Sequence, residues 1–211
     1  NASAGTGNLT VTEQTRAGFV FRGPDPVASP SSSTLNFPLG DNRANGVTVA
    51  LGGSGALSAT YAAAGGGTTH LVFDVTGYFV PDTSGATFVP LSPARLLDSR
   101  VANGLSGTFS AGVPRTFQVT GRGGVPANAS AVTGNLTVTE QTRAGFVFLG
   151  PAPVAVPTSS TLNFPLGDNR ANGVTVALSG SGALSATYAA VGGGTTQLVF
   201  DVTGYFVPNT S

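Results

Sequence analysis

The side chains in this sequence that could do chemistry form a small charged set that occurs twice. The two sets lie 140 − 13 = 127 residues apart: Glu13, Arg16, Asp41, Arg43 and Asp74, and then Glu140, Arg143, Asp168, Arg170 and Asp201. Two carboxylates about 5 to 9.5 Å apart in a cleft would suit glycoside hydrolysis. Each acid, however, has an Arg within a few residues or is flanked by strand sequence, which favours structural Arg–carboxylate pairs. We therefore predict no catalytic residue and no enzyme activity.

A further charged cluster occurs only once. It consists of Arg95, Asp98 and Arg100, within the stretch PLSPARLLDSR at 90–100. An Arg guanidinium forks onto carboxylates through paired hydrogen bonds and tolerates partial burial. We interpret this cluster as a structural clamp.

Two loops carry oxygen-bearing side chains that could bind calcium. The first holds Asp41, Asn42 and Asn45, and the second holds Asp168, Asn169 and Asn172. Neither has the dense acidic spacing of an EF-hand-like site. The Asn-Gly pair that closes each DNRANG stretch tolerates positive φ and favours a tight hairpin turn. We predict hairpin turns and no metal site, with calcium as the alternative.

The single histidine and the two glycine runs do not predict a catalytic, metal or phosphate-binding site. His70 is the only histidine, and Gln197 takes its place in the second copy. A function that needs imidazole cannot be shared by both copies, which argues against a catalytic triad and a zinc site. The glycine runs at 65–67 and 192–194 lack the Lys and helix of a phosphate-binding loop, so they predict strand connections. We predict no cofactor.

Four tyrosines could stack on sugar rings if their rings are exposed. They are Tyr61, Tyr78, Tyr188 and Tyr205. Each lies in strand register, so we expect the ring to cover an edge of the core with its hydroxyl in water. Sugar binding is the alternative.

The elements that position these residues follow from the repeat itself. Residues 1–84 align with residues 128–211 without a gap and with 9 mismatches in 84 positions. We predict a first module, 1–84, that lacks its N-terminal third. The second module, 85–211, is predicted to be complete, with a unique opening segment at 85–127 and the repeat at 128–211.

Short alternating segments separated by Gly, Pro and Asn predict strands throughout. The longest candidate, Leu71 to Val80, has one wholly apolar face and is predicted to be a central strand. We predict an all-β fold of tandem antiparallel β-sandwich modules, or barrel-like ones, with a 127-residue repeat.

Composition excludes several classes of partner. The nine basic residues, all Arg, balance nine acidic ones, and charged residues make up 9% of the chain, against about 25% in typical domains. A neutral, weakly charged chain lacks the basic surface of a nucleic-acid-binding protein. No stretch approaches the 18 or so apolar residues of a membrane-spanning helix. We predict neither nucleic-acid binding nor membrane insertion.

The sequence from Phe88 onward resembles a known repeat. PLSPARLLDSR, GRGGVP, STLNFPLGDNRAN and LVFDVTGYF are similar to the module that opens with a PxRLLDTR-like segment and closes with a DVxGYF-like one. That module is common in large secreted and cell-surface proteins of actinobacteria, Chloroflexi and related bacteria. The resemblance covers 88–207 as a full module and 1–81 as the last two-thirds of another. It implies an extracellular or cell-surface location and no activity of its own.

The missing third of the first module leaves three interpretations. The chain is a window from a longer array of modules, or residues 1–84 are completed by strands from a neighbouring subunit. Alternatively, the 84-residue block is the domain and 85–127 is a structured connector. The residues that neighbour the edge of 1–84 would distinguish the three.

A strand-rich chain without Lys should be poorly protected against edge-to-edge association. We therefore predict a non-enzymatic structural repeat of an extracellular or cell-surface filament, sheath or stalk. Its expected partner is itself, in a homopolymer or array formed through sheet edges, with strand donation as one route. The alternative is a carbohydrate-binding or cell-wall-anchoring module, with cell-wall polysaccharide as its partner, beside an enzyme outside this chain.

Overall fold

The computed structural model describes residues 1–209, and its regular secondary structure consists entirely of antiparallel strands. The predicted all-β class is confirmed. No helix long and apolar enough to cross a membrane occurs within this range. Thr210 and Ser211, the end of the predicted second module, lie outside the described residues.

The chain divides into two compact units, residues 1–82 and 83–211. Each unit holds two antiparallel sheets whose apolar faces contribute to one core, which is consistent with a β-sandwich. We call them the first unit and the second unit.

The first unit contains two three-stranded sheets. Their orders are β4-β1-β6 and β3-β2-β5. The strands are β1 (Ala4–Thr12), β2 (Gly18–Gly23), β3 (Leu35–Phe37), β4 (Arg43–Ala50), β5 (Ser58–Ala62) and β6 (His70–Phe79).

The second unit contains a five-stranded and a four-stranded sheet. The first has the order β13-β10-β15-β7, with β8 also paired to β15, and the second has the order β12-β11-β14-β9. The strands are β7 (Thr87–Asp98), β8 (Phe109–Ser110), β9 (Arg115–Gln118), β10 (Ala131–Thr139), β11 (Gly145–Gly150), β12 (Leu162–Phe164), β13 (Arg170–Ala177), β14 (Ala183–Ala189) and β15 (Thr195–Val207).

The predicted hairpin turn in the DNRANG stretches is wrong. Asn45 and Gly46 lie inside β4, where they pair with Leu9 and Asn8 of β1. The chain turns before β4, and Gly40 has a φ of 77° in that connection. The local turn preference of Asn-Gly is overridden because eight consecutive residues of β4 pair with β1.

The two units differ greatly in core size. The core of the first unit consists of five buried apolar residues: Leu9, Val11, Val20, Leu35 and Phe37. The core cluster of the second unit contains 21 buried apolar residues. Six of these come from the opening segment: Leu96, Leu97, Phe109, Phe117, Val119 and Val125.

Candidate functional site

The most unusual feature of the chain is one side of the first unit. In the second unit the opening segment pairs β7 with β15 and β9 with β14, so it extends both sheets on the same side. The interpretation of 85–127 as a connector between two domains is therefore wrong. The corresponding strands of the first unit are β6 and β5, and within residues 1–209 no strand pairs with their outer edges. We call these two edges the open edge.

Within the opening segment, β7 runs along most of the length of β15. Val207 pairs with Thr87 at one end and Val199 pairs with Asp98 at the other, with two bulges between them. Nearby, Ser99 accepts a hydrogen bond from the backbone N–H of Leu198 at 3.0 Å. The sequence LVFDVTGYF occurs at both 71–79 and 198–206, so β6 carries the same side chains without this neighbour.

Apolar side chains that are buried in β15 are exposed in β6. Val75 is 66% exposed, whereas its counterpart Val202 is fully buried. Val72 is 46% exposed, against 4% for Val199. The strand predicted at 71–80 to be central, β6, lies at a sheet edge, so that prediction is wrong for the first unit. Its counterpart β15 is a central strand of the second unit. Exposed apolar patches of this kind mark interaction surfaces.

The aromatic core beside this edge is covered differently in the two units. In the second unit the ring of Phe117 lies 6.0 Å from that of Phe200. In the first unit the Arg22 guanidinium lies 3.6 Å from the ring centre of Phe73. Burial lowers the pKa of Arg22, and its Nε atom is buried without a hydrogen-bond partner. This cation–π contact was not predicted, although Arg22 is one of the nine mismatches, with Leu149 in its place.

The corresponding carboxylates Asp74 and Asp201 have different hydrogen-bond partners in the two units. Asp201 accepts two hydrogen bonds from Arg95 of the opening segment, at 2.9 Å from Nε and 3.1 Å from Nη2. Its counterpart Asp74 is partly buried, and its Oδ2 atom has no hydrogen-bond partner. Burial without a compensating cation raises the pKa of Asp74.

The predicted clamp in the opening segment forms around Asp98. Arg100 donates to both carboxylate oxygens, at 2.9 and 2.8 Å, and Arg95 lies 3.2 Å from Oδ2. These bonds, that from Arg100 above all, lower the pKa of Asp98 to about 2. Because Arg95 contacts both Asp98 and Asp201, the clamp positions the guanidinium that crosses to β15.

The other predicted charged residues form local contacts. Arg43 donates to Asp41 at 2.6 Å, and Arg170 pairs with Asp168 in the same way. Glu13, expected to form an Arg–carboxylate pair, instead lies 3.5 Å from His70. Glu13 has a positive φ of 53° in the turn between β1 and β2.

The calcium alternative finds no support in the geometry. Asn45 and Asn172 point their amide groups at backbone carbonyls, donating to Thr34 at 2.7 Å and Thr161 at 2.6 Å. No group of three or more His, Cys, Asp or Glu side chains able to hold a metal occurs among residues 1–209.

Two of the four tyrosines have structural roles. The hydroxyl groups of Tyr61 and Tyr188 donate to the carbonyls of Arg16 and Arg143, at 2.8 and 2.9 Å. Tyr188 is fully buried, so its hydroxyl is not in water as expected. Tyr78, on the open edge, is 71% exposed.

No family model and no curated protein matches the chain. A comparison with solved structures finds a chain from "Structure of infectious bursal disease virus Gx strain", with 12% sequence identity and a TM-score of 0.17. The match covers 100% of this chain and 63% of that chain. At this TM-score the match carries no argument about fold or function.

Proposed function

We propose that the chain is a non-enzymatic structural repeat that assembles through its sheet edges. In this proposal the two units are tandem β-sandwich modules with a 127-residue period, and residues 1–84 correspond to the last two-thirds of one module. The assembly is a filament, sheath or stalk outside the cell or on its surface.

The observation that carries the proposal is the open edge of the first unit. It presents unpaired backbone groups together with exposed apolar side chains, which is the combination that templates pairing with another chain. Natural edge strands are usually protected by Lys, Pro or a bulge that twists them away. The sequence of β6 contains neither Lys nor Pro, and Asp74 is its only carboxylate. β6 has a bulge at Thr76, but β15 has the same bulge at Thr203 and still pairs with β7.

The extracellular setting is supported by the composition and by the resemblance to surface-protein repeats. The chain contains no Cys and no Met, the side chains that oxidise most readily. The non-enzymatic assignment is supported by the Arg–carboxylate pairs of Asp41, Asp98 and Asp201, which are typical of structural contacts.

Sedimentation velocity of the purified chain over a hundredfold concentration range, with electron microscopy of the same samples, tests the proposal. We expect concentration-dependent association that Val75→Lys on the open edge reduces strongly. Val191→Lys is the matched control, because Val191 is 96% exposed and lies in the loop between β14 and β15 of the second unit. A chain that remains monomeric at all concentrations while binding purified cell-wall polysaccharide would overturn the proposal in favour of a carbohydrate-binding module.

A further inference from the structure

We propose that the open edge of the first unit is a binding site for one kind of ligand: an extended, arginine-bearing peptide segment of the type formed by residues 87–126. The segment adds strands to β6 and β5 and places its arginine on Asp74. This inference rests on the proposed function and names the segment that binds the same edge; pairing between the open edges of two copies is the association expected of the purified chain when that segment is absent.

The open edge contains a carboxylate, Asp74, that has no arginine beside it within residues 1–209. Asp74 and Asp201 occupy corresponding positions in LVFDVTGYF, yet only Asp201 faces an arginine, at 2.9 Å from Arg95. The buried Oδ2 atom of Asp74 has no hydrogen-bond partner. A paired Arg–carboxylate contact is among the stronger and more directional polar contacts in proteins. Asp74 therefore selects a ligand with an arginine at the position of Arg95.

Exposed apolar side chains lie on both sides of Asp74 along β6. In the second unit Leu96 and Leu97 of β7 are buried and belong to the same core cluster as Leu198, Phe200 and Val202 of β15. The side chains of β6 have the same order and spacing, and Leu71 and Val75 are exposed. A ligand with two adjacent apolar residues directly after its arginine would cover them.

β6 and β15 each contain a glycine at the same position, Gly77 and Gly204. A Cβ atom at Gly204 would collide with the ring of Phe88, which lies directly on this glycine, so the missing side chain makes room for the opening segment. At the corresponding Gly77, the neighbour nearest to such an atom is a methyl group of Thr6, at 3.2 Å. Glycine inside a strand costs stability and often marks a close approach by another chain. Gly77 thus supplies a place for an aromatic side chain at the start of the ligand.

The chain's own opening segment does not satisfy this site. Residues 87–118 are paired within the second unit, so giving them to the first unit of another copy would open an equivalent edge. Exchange between copies of residues 1–211 leaves the number of open edges unchanged, because these residues provide two acceptor edges and one opening segment. The ligand is therefore a segment from outside residues 1–211, such as the opening third of another module.

The test uses the intact 211-residue chain and a fluorescent synthetic peptide of residues 85–127. We expect saturable binding of one peptide per chain. Hydrogen exchange of residues 70–79 should slow at least about tenfold on binding, while residues 197–206 stay unchanged.

Matched variants locate the bound peptide. Asp74→Asn in the chain and Arg95→Gln in the peptide should each weaken binding roughly 10- to 100-fold, and combining them should cost little more than either alone. Asp201→Asn is the control in the second unit and should leave the affinity unchanged. If Asp201→Asn abolishes binding while Asp74→Asn does not, the peptide enters the second unit by exchange and the inference is wrong.

Failure of this inference differs from failure of the proposed function. If the peptide does not bind while the chain still associates in sedimentation, the edge assembles with edges of other copies and takes no opening segment. If the peptide binds but the chain alone stays monomeric, the ligand is correctly assigned and self-association is not.

Discussion

The strands β6 and β15 contain the same nine-residue sequence, LVFDVTGYF, in two different surroundings. In the second unit the sequence lies between β10 and β7, and in the first it pairs with β1 alone. Strand length follows the neighbours: β15 has 13 residues and β6 has 10. In the same way, β14 has seven residues beside β9, whereas β5 has five.

The comparison shows that the repeated strands are longer where the opening segment pairs with them. Ala-Leu at 183–184 extends β14 because it pairs with β9, while the identical residues at 56–57 lie outside β5. Thr195 and Thr196 are strand residues where they pair with β8, and Thr68 and Thr69 are not. The opening segment therefore determines how much of each repeat becomes sheet.

The largest difference between the units should come from placing a charge at one position of this sequence. Val202→Asp buries an unpaired carboxylate in the core of the second unit and should destabilise it by about 3 kcal/mol or more. Val75→Asp changes the same residue where it is 66% exposed and should cost less than about 1 kcal/mol. Urea unfolding, followed by hydrogen exchange so that each unit is read separately, checks the pair. Equal losses in the two units would contradict the comparison.

A smaller effect is expected from the arginine that links the opening segment to β15. Arg95→Gln removes the charged hydrogen bonds to Asp201 and Asp98 and should destabilise the second unit by about 1–3 kcal/mol. The first unit should be unaffected, because Asp74 has no such partner within the described chain. The two-unit unfolding measurement provides the readout, and Arg95→Lys should restore only part of the loss since Lys lacks the planar fork. An equal loss in the first unit would count against this assignment.

The smallest difference concerns pH, and here the two units should respond with opposite signs. The lowered pKa of Asp98, about 2 against an ordinary 3.8, stabilises the second unit above about pH 4, and this stability is lost as pH falls toward 2. The shift corresponds to roughly 2 kcal/mol. The raised pKa of Asp74 works the other way: its contribution is most favourable below the ordinary pKa and is lost as pH rises through the raised value.

Stability curves between pH 2 and 6 check this prediction. Asp98→Asn should flatten the acid response of the second unit, and Asp74→Asn should remove the opposing slope from the first. Parallel curves for the two units in the unmodified chain would show that these carboxylates do not differ as described.

Local patterns were sufficient to predict the all-β class, because alternating residues and turn residues define short strands without reference to the rest of the chain. They also predicted the cluster of Arg95, Asp98 and Arg100, whose members lie within six positions. The position of Asn45 and Gly46 inside β4 could not be read in this way, since it depends on pairing with β1. The same holds for Asp201, whose partner Arg95 is 106 residues distant in sequence.

The difference between Asp74 and Asp201 is the part of the site that sequence alone could not provide. Both are preceded by LVF and followed by VTGYF, so every local signal is the same. Their surroundings differ because β7 pairs with β15 and not with β6, and because Arg22 in the first unit is replaced by Leu149 in the second. The exposure of Val75 and the unpartnered Oδ2 atom of Asp74 depend on which strands lie beside β6, and no local pattern carries that information.

Hydrogen exchange of β6 in the dilute chain and in its concentrated or assembled form tests the central claim most directly. We predict fast exchange at Leu71 in the dilute chain, slow exchange at Leu198 in both forms, and protection of Leu71 approaching that of Leu198 once the open edge is occupied. Slow exchange at Leu71 in the dilute monomer, or no gain in protection on assembly, would contradict the account.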